Sequence, residues 1–320
     1  MNTKNQNPFF AALTLCAGLA AGFTTLSASG AAYIKFDGID GEVLERARPL
    51  PVLLVIADQQ DFYFKEYADT RLALEQAGLE VQVAATTTAR SVPHPGTGEP
   101  AGTDGGVVPD LGLADVKPGA YSAIAFVGGW GSSMYQYAYN DPNGDGRTDN
   151  FYSHGPYNGD DDLGDGRIGL GKALANRLIG AFLAQDKPVA GVCHGTTVLA
   201  WARVDGVSPL RGRRVSVPFI GSPATFYRGR WFGNFELGQY EQAVVNGAIP
   251  NRFSGQYGDP STAADDVVVD GRIITAENYD SAFQFGRVLA SEVLAAGVQT
   301  KPIVALGTPV RNLKSRRARP

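Results

Sequence analysis

Val52 to Ala57 reads VLLVIA, an unbroken apolar run of strand length. A strand with one wet face alternates apolar and polar residues, so a run without alternation marks a strand covered on both faces. Such a strand needs a sheet with helices on each side. The following residues supply the next element: Phe64, Tyr67, Ala68 and Leu72 recur at helical spacing, Asp61 is placed to cap the helix, and Gly78 is placed to end it. The alternation then repeats. LEVQVAA (residues 79–85), YSAIAFV (121–127), KPVAGV (187–192), GRRVSV (212–217) and DDVVVDGRIITA (265–276) read as strands. Leu170, Leu174, Leu178, Ala181 and Phe182 form one helical stripe, and Phe285, Val288, Leu289 and Val293 another. Strands alternating with helices predict an α/β fold, a doubly wound, mostly parallel sheet with helices on both faces.

Two stretches interrupt the pattern. Residues 88–117, rich in Pro, Gly and Thr, predict a long loop. Residues 132–169, dense in Gly, Asp, Asn and Tyr and without a helical stripe, predict an inserted loop. Tyr135, Tyr137 and Tyr139 alternate at its start, placed to line a pocket or to anchor the loop.

The ends differ in kind from the middle. Lys4 precedes a nearly uncharged run from Pro8 to Phe23, and the small residues of LSASGAA follow. This is the pattern of a secretory signal over residues 1–30, and it predicts export to the periplasm or medium. The run is short for a membrane span. Cys16 raises a lipid anchor as the alternative, but Leu15 precedes it where a small residue is usual, so soluble export ranks first. Residues 31–49 then form an N-terminal arm, residues 50–297 the α/β domain, and residues 298–320 a basic tail ending in KSRRARP. A net charge of -4 gives no reason to expect nucleic acid as a partner, and no membrane association is expected after signal removal.

Gly191-Val192-Cys193-His194-Gly195 carries the chemistry. It has the form of a nucleophile elbow with cysteine in the place of serine. A sharp strand-to-helix turn imposes strained backbone angles on the nucleophile, and flanking glycines remove Cβ clashes. The helix that follows aims its N-terminus at the thiol, which favours thiolate. The competing reading is a buried core cysteine, a common fate for this residue. With the signal removed Cys193 is the only cysteine, so an intramolecular disulfide is excluded.

VAGVCHGTTVLAWA resembles the nucleophile segment of the ThiJ/PfpI family, within the superfamily that includes class I glutamine amidotransferases. LLVIADQQDFYFKEYADTRLALEQAGLEVQVA, AYSAIAFVGGWG, VSPLRGRRVS and VVVDGRIITAENYDSAFQFGRVLASEVL resemble other family segments in the same order. The resemblance implies a flavodoxin-like sheet and a small-molecule substrate. It requires no cofactor. It also implies roles: Cys193 as nucleophile, Glu66 as the acidic residue that meets the thiol, His194 as general base, and the backbone amides of Gly129 and His194 as an oxyanion hole. Some family members complete the site from a second subunit, so a homodimer is compatible with it. A glutaminase triad is not expected, because none of the three histidines, His94, His154 and His194, lies beyond the elbow. No third triad acid stands out; Glu277 and Asp280 lie near a family loop but neither is selected.

DPNGDGRTD places Asp141, Asn143, Asp145 and Asp149 around Gly146 at the spacing of the first nine positions of an EF-hand-like calcium loop. Tyr152 stands where the bidentate acid is usual, with Asp160, Asp161, Asp162 and Asp165 as nearby substitutes. Structural calcium is therefore one expectation and an acidic surface loop the other. Because it starts beside Gly129, the insertion is also expected at the rim of the pocket. For the whole chain, two classes of function follow from the resemblance. One is a cysteine-dependent enzyme, hydrolase-like or glyoxalase/deglycase-like, acting on a small carbonyl or amide. The other is a non-catalytic thiol-based redox sensor or chaperone-like stress protein.

Overall fold

The structure is a computed structural model and describes residues 49–138, 167–218, 225–227, 230–232, 238–251 and 267–297. Every described residue belongs to the unit Arg48–Pro320. The signal segment, nearly all of the arm, the aspartate-rich part of the insertion and the basic tail lie outside the described residues. So do His154 and the proposed calcium ligands Asp141, Asn143, Asp145 and Asp149.

The apolar runs are strands: β1 (Val52–Val55), β2 (Val81–Ala85), β3 (Leu111–Gly112), β4 (Ala123–Phe126) and β5 (Val189–Val192). Near the C-terminus, β10 (Val267–Asp270) and β11 (Ile273–Ala276) form a hairpin. They build one seven-stranded sheet in the order β10-β11-β5-β4-β1-β2-β3, parallel except at the β10 edge. All four residues of β1, β4, β5 and β11 are buried, as both faces of the sheet are covered. From β1 the chain moves outward through β2 and β3, then returns to β4 on the other side of β1. In open α/β sheets this switch in direction opens a crevice at the carboxyl ends of the strands. GRRVSV contributes only β6 (Arg214–Val215), which leaves the main sheet and pairs with β9 (Ile249–Pro250). A separate small hairpin joins β7 (Thr225–Tyr227) to β8 (Arg230–Phe232).

Helix α1 (Phe64–Gln76) differs from its sequence reading in two ways. Asp61 does not cap it: Tyr63 occupies the N-cap with no side-chain bond, and Asp61 lies before it in left-handed backbone, fully buried. The inward face consists of Glu66, Tyr67, Thr70, Ala73 and Leu74, while Leu72 is exposed. The face is turned because α1 packs along the final helix α5 (Ala282–Gly297). Gly286 permits the crossing, since a Cβ there would lie 2.6 Å from the Thr70 carbonyl oxygen and 2.7 Å from the Ala73 methyl. Glu66 is therefore carried into the interior on the same face as Thr70 and Ala73. Gly78, at φ 80°, follows the end of α1 as expected.

Helix α2 (Arg167–Ala184) begins three residues ahead of its apolar stripe, and Leu170 is exposed. Trp130–Tyr135 is a 3-10 helix whose Ser132, Ser133, Met134 and Tyr135 are buried, so residues 132–136 belong to the core. Tyr135 donates its hydroxyl proton to the Ile56 carbonyl at 2.9 Å, and the same hydroxyl accepts from the Thr86 amide at 3.2 Å. It anchors the segment. Tyr137 is exposed and Tyr139 lies outside the described residues. No helix among the described residues is long and apolar enough to cross a membrane.

Candidate active site

The strand-to-helix turn predicted at Gly191–Gly195 is present. β5 ends at Val192, Cys193 follows at φ 54° and ψ -123°, and α3 (His194–Trp201) starts at the next residue. A left-handed φ at a cysteine costs energy that the surroundings must supply. Here the Cys193 amide donates to the Ala276 carbonyl at 3.0 Å, extending the sheet ladder, and the Thr196 hydroxyl donates to the Gly191 carbonyl at 3.0 Å. The two glycines are needed for close packing. A Cβ at Gly191 would lie 2.6 Å from the Gly195 carbonyl, and one at Gly195 would overlap the Phe126 carbonyl of β4.

Across from the elbow, β4 runs into Gly128 and Gly129. The Tyr63 amide donates to the Gly128 carbonyl at 3.0 Å, tying this turn to the start of α1. A side chain at residue 128 has no room: its Cβ would collide with Glu66 Oε2 and lie 2.7 Å from Cys193 Cβ. At Gly129, φ is 98° and a Cβ would lie 2.5 Å from the Asp61 carbonyl oxygen. Gly128 is thus the glycine that lets carboxyl and thiol meet.

Three of the sequence-predicted side chains converge. Cys193 is 6% exposed, His194 3% and Glu66 0%. Burial pushes the Glu66 carboxyl up to about 8, against smaller opposing contributions from the thiol and the Gly128 amide. Burial, reinforced by any charge on Glu66, pushes the Cys193 thiol up, while the His194 amide and Gln239 pull it down. Each group's ionisation opposes the other's, so the pair releases one proton and resists losing the second. His194 Nδ1 lies 3.6 Å from Cys193 Sγ, and burial drives its pKa down to about 3, leaving the ring neutral at neutral pH.

Sequence reasoning missed Gln239. It opens helix α4 (Gln239–Val245) and is 2% exposed. Its Nε2 lies 3.9 Å from Cys193 Sγ and 3.0 and 3.2 Å from the two ring nitrogens of His194. Nothing local marks it, because a glutamine among polar residues signals neither a nucleophile nor a base. Two tyrosines were also missed. The rings of Tyr63 and Tyr279 stack at 5.2 Å, and burial, followed by the charges of Glu66, Tyr279 and Cys193, raises the Tyr63 phenol. Glu277 is buried, and Asp280 is exposed with a carboxyl raised by partial burial. Asp61 carries a second polar contact nearby: its Oδ1 lies 3.7 Å from His94 Nδ1, and the His94 ring meets Trp130 edge-on at 4.4 Å. No group of metal-ligating side chains occurs among the described residues.

No family sequence model matches the chain, and no curated protein matches it in sequence. Solved structures do. The 24-kDa rapid encystment protein of Francisella tularensis superposes with a TM-score of 0.51 at 15% identity, over 76% of this chain and 99% of that one. A ThiJ/PfpI domain protein of Brachyspira murdochii gives 0.49 at 20% identity, over 78% and 99%. Glyoxalase III of Candida albicans gives 0.47 at 16% identity, over 78% and 98%. At such identities a likeness speaks to fold: the chain has the doubly wound, flavodoxin-like α/β architecture expected from its sequence.

Proposed function

We propose that this chain is an exported ThiJ/PfpI-type enzyme in which Cys193 attacks the carbonyl carbon of a small molecule. The observation that carries the reading is the contact of a fully buried Glu66 carboxyl with a thiol held at φ 54° on a strand-to-helix elbow. A buried carboxyl is costly, and Glu66 has no ion pair among the described residues. A proton carrier for the thiol gives a reason to keep it. Export rests on the leader-like residues 1–30.

The chemistry follows from the shared proton. Loss of one proton from the pair leaves either thiol with carboxylate or thiolate with carboxylic acid. The two forms differ only in where a proton sits along the contact. A general acid–base group works best with a pKa close to the working pH, and Glu66, at about 8, meets that condition. As sulfur bonds to the carbonyl carbon, the thiol proton passes to Glu66 and the carbonyl π pair moves to oxygen. The amides of Gly129 and His194 are assigned to receive that oxyanion. Glu66 then returns the proton to oxygen, giving a neutral hemithioacetal from an aldehyde. For an amide the proton goes instead to the departing nitrogen, leaving an acyl-enzyme for water. His194, neutral and beside the sulfur, is placed to assist either proton transfer.

Replacement Cys193→Ser tests the reading. Turnover of methylglyoxal or of an activated ester is expected to vanish while the melting temperature holds. Native alkylation by iodoacetamide is expected at Cys193. A cysteine that reacts only after unfolding would return it to the core-cysteine reading. A thiol that alkylates natively without any turnover would favour the redox-sensor reading.

A further inference from the structure

We propose that Gln239 is a third catalytic residue, an amide that bridges the nucleophile and the histidine and draws the shared proton from sulfur toward Glu66. The inference rests on Cys193 being the reacting atom. It concerns a residue to which the family resemblance gave no role.

The geometry is specific. Gln239 Nε2 carries two N–H donors and lies near three atoms: Cys193 Sγ at 3.9 Å, His194 Nδ1 at 3.0 Å and His194 Nε2 at 3.2 Å. A neutral imidazole offers one acceptor nitrogen, and a thiolate accepts better than a thiol. Burial keeps His194 neutral, so one N–H serves the ring and the second serves the sulfur. A donor on sulfur favours thiolate over thiol. The proton of the singly deprotonated pair then resides on the Glu66 carboxyl. No bond is made or broken at Gln239 itself.

A second observation separates this role from ordinary packing. Gln239 Oε1 is buried and has no hydrogen-bond partner among the described residues. A half-satisfied buried amide is less stable than an apolar side chain that fills the same space. Core packing alone favours leucine or methionine here. The polar end on Cys193 and His194 is what those residues cannot supply. A glutamate would fill the space but would place a carboxylate beside the sulfur, opposing its ionisation.

The elements that bring Gln239 to the elbow are themselves cross-linked. Gln242, one turn along α4, accepts through Oε1 from Trp201 Nε1 of α3 at 2.9 Å and from Gln136 Nε2 at 3.0 Å. Gln136 Nε2 also donates to the Thr197 hydroxyl of α3 at 2.6 Å. α4 is thus held in register with the helix that begins at His194.

The test is the pH dependence of iodoacetamide alkylation at Cys193 in the full protein, for wild type, Gln239→Glu and Gln239→Met, with melting temperatures alongside. Both variants remove the N–H donors, and Gln239→Glu preserves the shape. The alkylation midpoint is expected to move up by about one pH unit in each, so that modification at pH 7 slows roughly tenfold. Unchanged midpoints in both variants, with Cys193 reactive in the wild type, would overturn the role of Gln239 and leave that of Cys193 standing. A wild-type thiol inert until unfolding would overturn both. If Gln239→Met does not fold, Gln239→Leu, which also lacks the donors and adds no charge, takes its place.

Discussion

Glu66 and Cys193 meet across a glycine: the space that a side chain at residue 128 would occupy is taken by Glu66 Oε2 on one side and the Cys193 Cβ on the other. The carboxyl comes from a helix and the thiol from a strand-to-helix turn, so neither is near the other in sequence. Their contact depends on the absence of one methyl group.

Gly128→Ala is therefore expected to separate the pair. The added methyl meets a carboxyl that can move and, at 2.7 Å, the Cys193 Cβ and the Val192 carbonyl oxygen, which cannot, so Glu66 is displaced. Overpacking of this kind costs about 1–3 kcal/mol. Calorimetry should show a lower melting temperature, and the alkylation rate of Cys193 near pH 8 should fall with it. A variant as stable and reactive as wild type would show that the contact is dispensable.

The raised Glu66 pKa links stability to pH. In the folded chain the carboxyl keeps its proton up to about 8, against an ordinary value of 4.5. Between those values the folded state binds more protons than the unfolded state. The contribution is fully present below 4.5 and is lost as pH rises through about 8. Glu66→Gln removes this loss. In urea titrations at pH 5 and pH 8, wild type should lose stability relative to Glu66→Gln, by an amount on the order of several kcal/mol at most. A constant difference between the two proteins would contradict the assigned burial effect.

His194 acts in the opposite sense. Its folded pKa of about 3 lies below the ordinary 6.5, so the unfolded chain binds the extra proton. Its contribution is present above 6.5 and is lost as pH falls toward about 3. Replacement by glutamine should flatten the acid side of the stability profile, leaving the alkaline side to Glu66. Unfolding at pH 4 and pH 7, compared with wild type, measures it; equal slopes would place a solvated imidazole at residue 194.

The helix crossing at Gly286 supplies a remote test. Alanine gains about 1 kcal/mol over glycine in a helix interior by propensity alone. Here its Cβ would sit 2.6 Å from the Thr70 carbonyl oxygen, a backbone atom that moves only with α1. The clash outweighs the propensity gain. Gly286→Ala is expected to lower the melting temperature and, by pushing on the helix that holds Glu66, to shift the alkylation midpoint of Cys193. Stabilisation would mean that α1 and α5 separate without cost.

The main elements were legible in the amino-acid sequence because they rest on local physics. Apolar runs without alternation at Val52–Ala57 and Ala123–Val127 announce strands covered on both faces, and glycine spacing around Cys193 announces a tight turn. These properties belong to a few consecutive residues. The family resemblance brought Glu66 and His194 to the same place. What the sequence could not determine was every contact between distant segments. The exposed Leu72 and the buried Glu66 exchange the roles that periodicity suggests, because the packing partner of α1 is α5, more than two hundred residues away. Asp61 was positioned to cap a helix, yet the tertiary path of the chain buries it ahead of the helix start. Gln239 reaches the thiol from beyond both the elbow helix and β6, and its meaning lies wholly in what it touches. Burial, finally, is a property of the assembled core. Only there does a carboxyl of ordinary acidity hold its proton to about 8, and only there do Glu66 and Cys193 become one titrating unit.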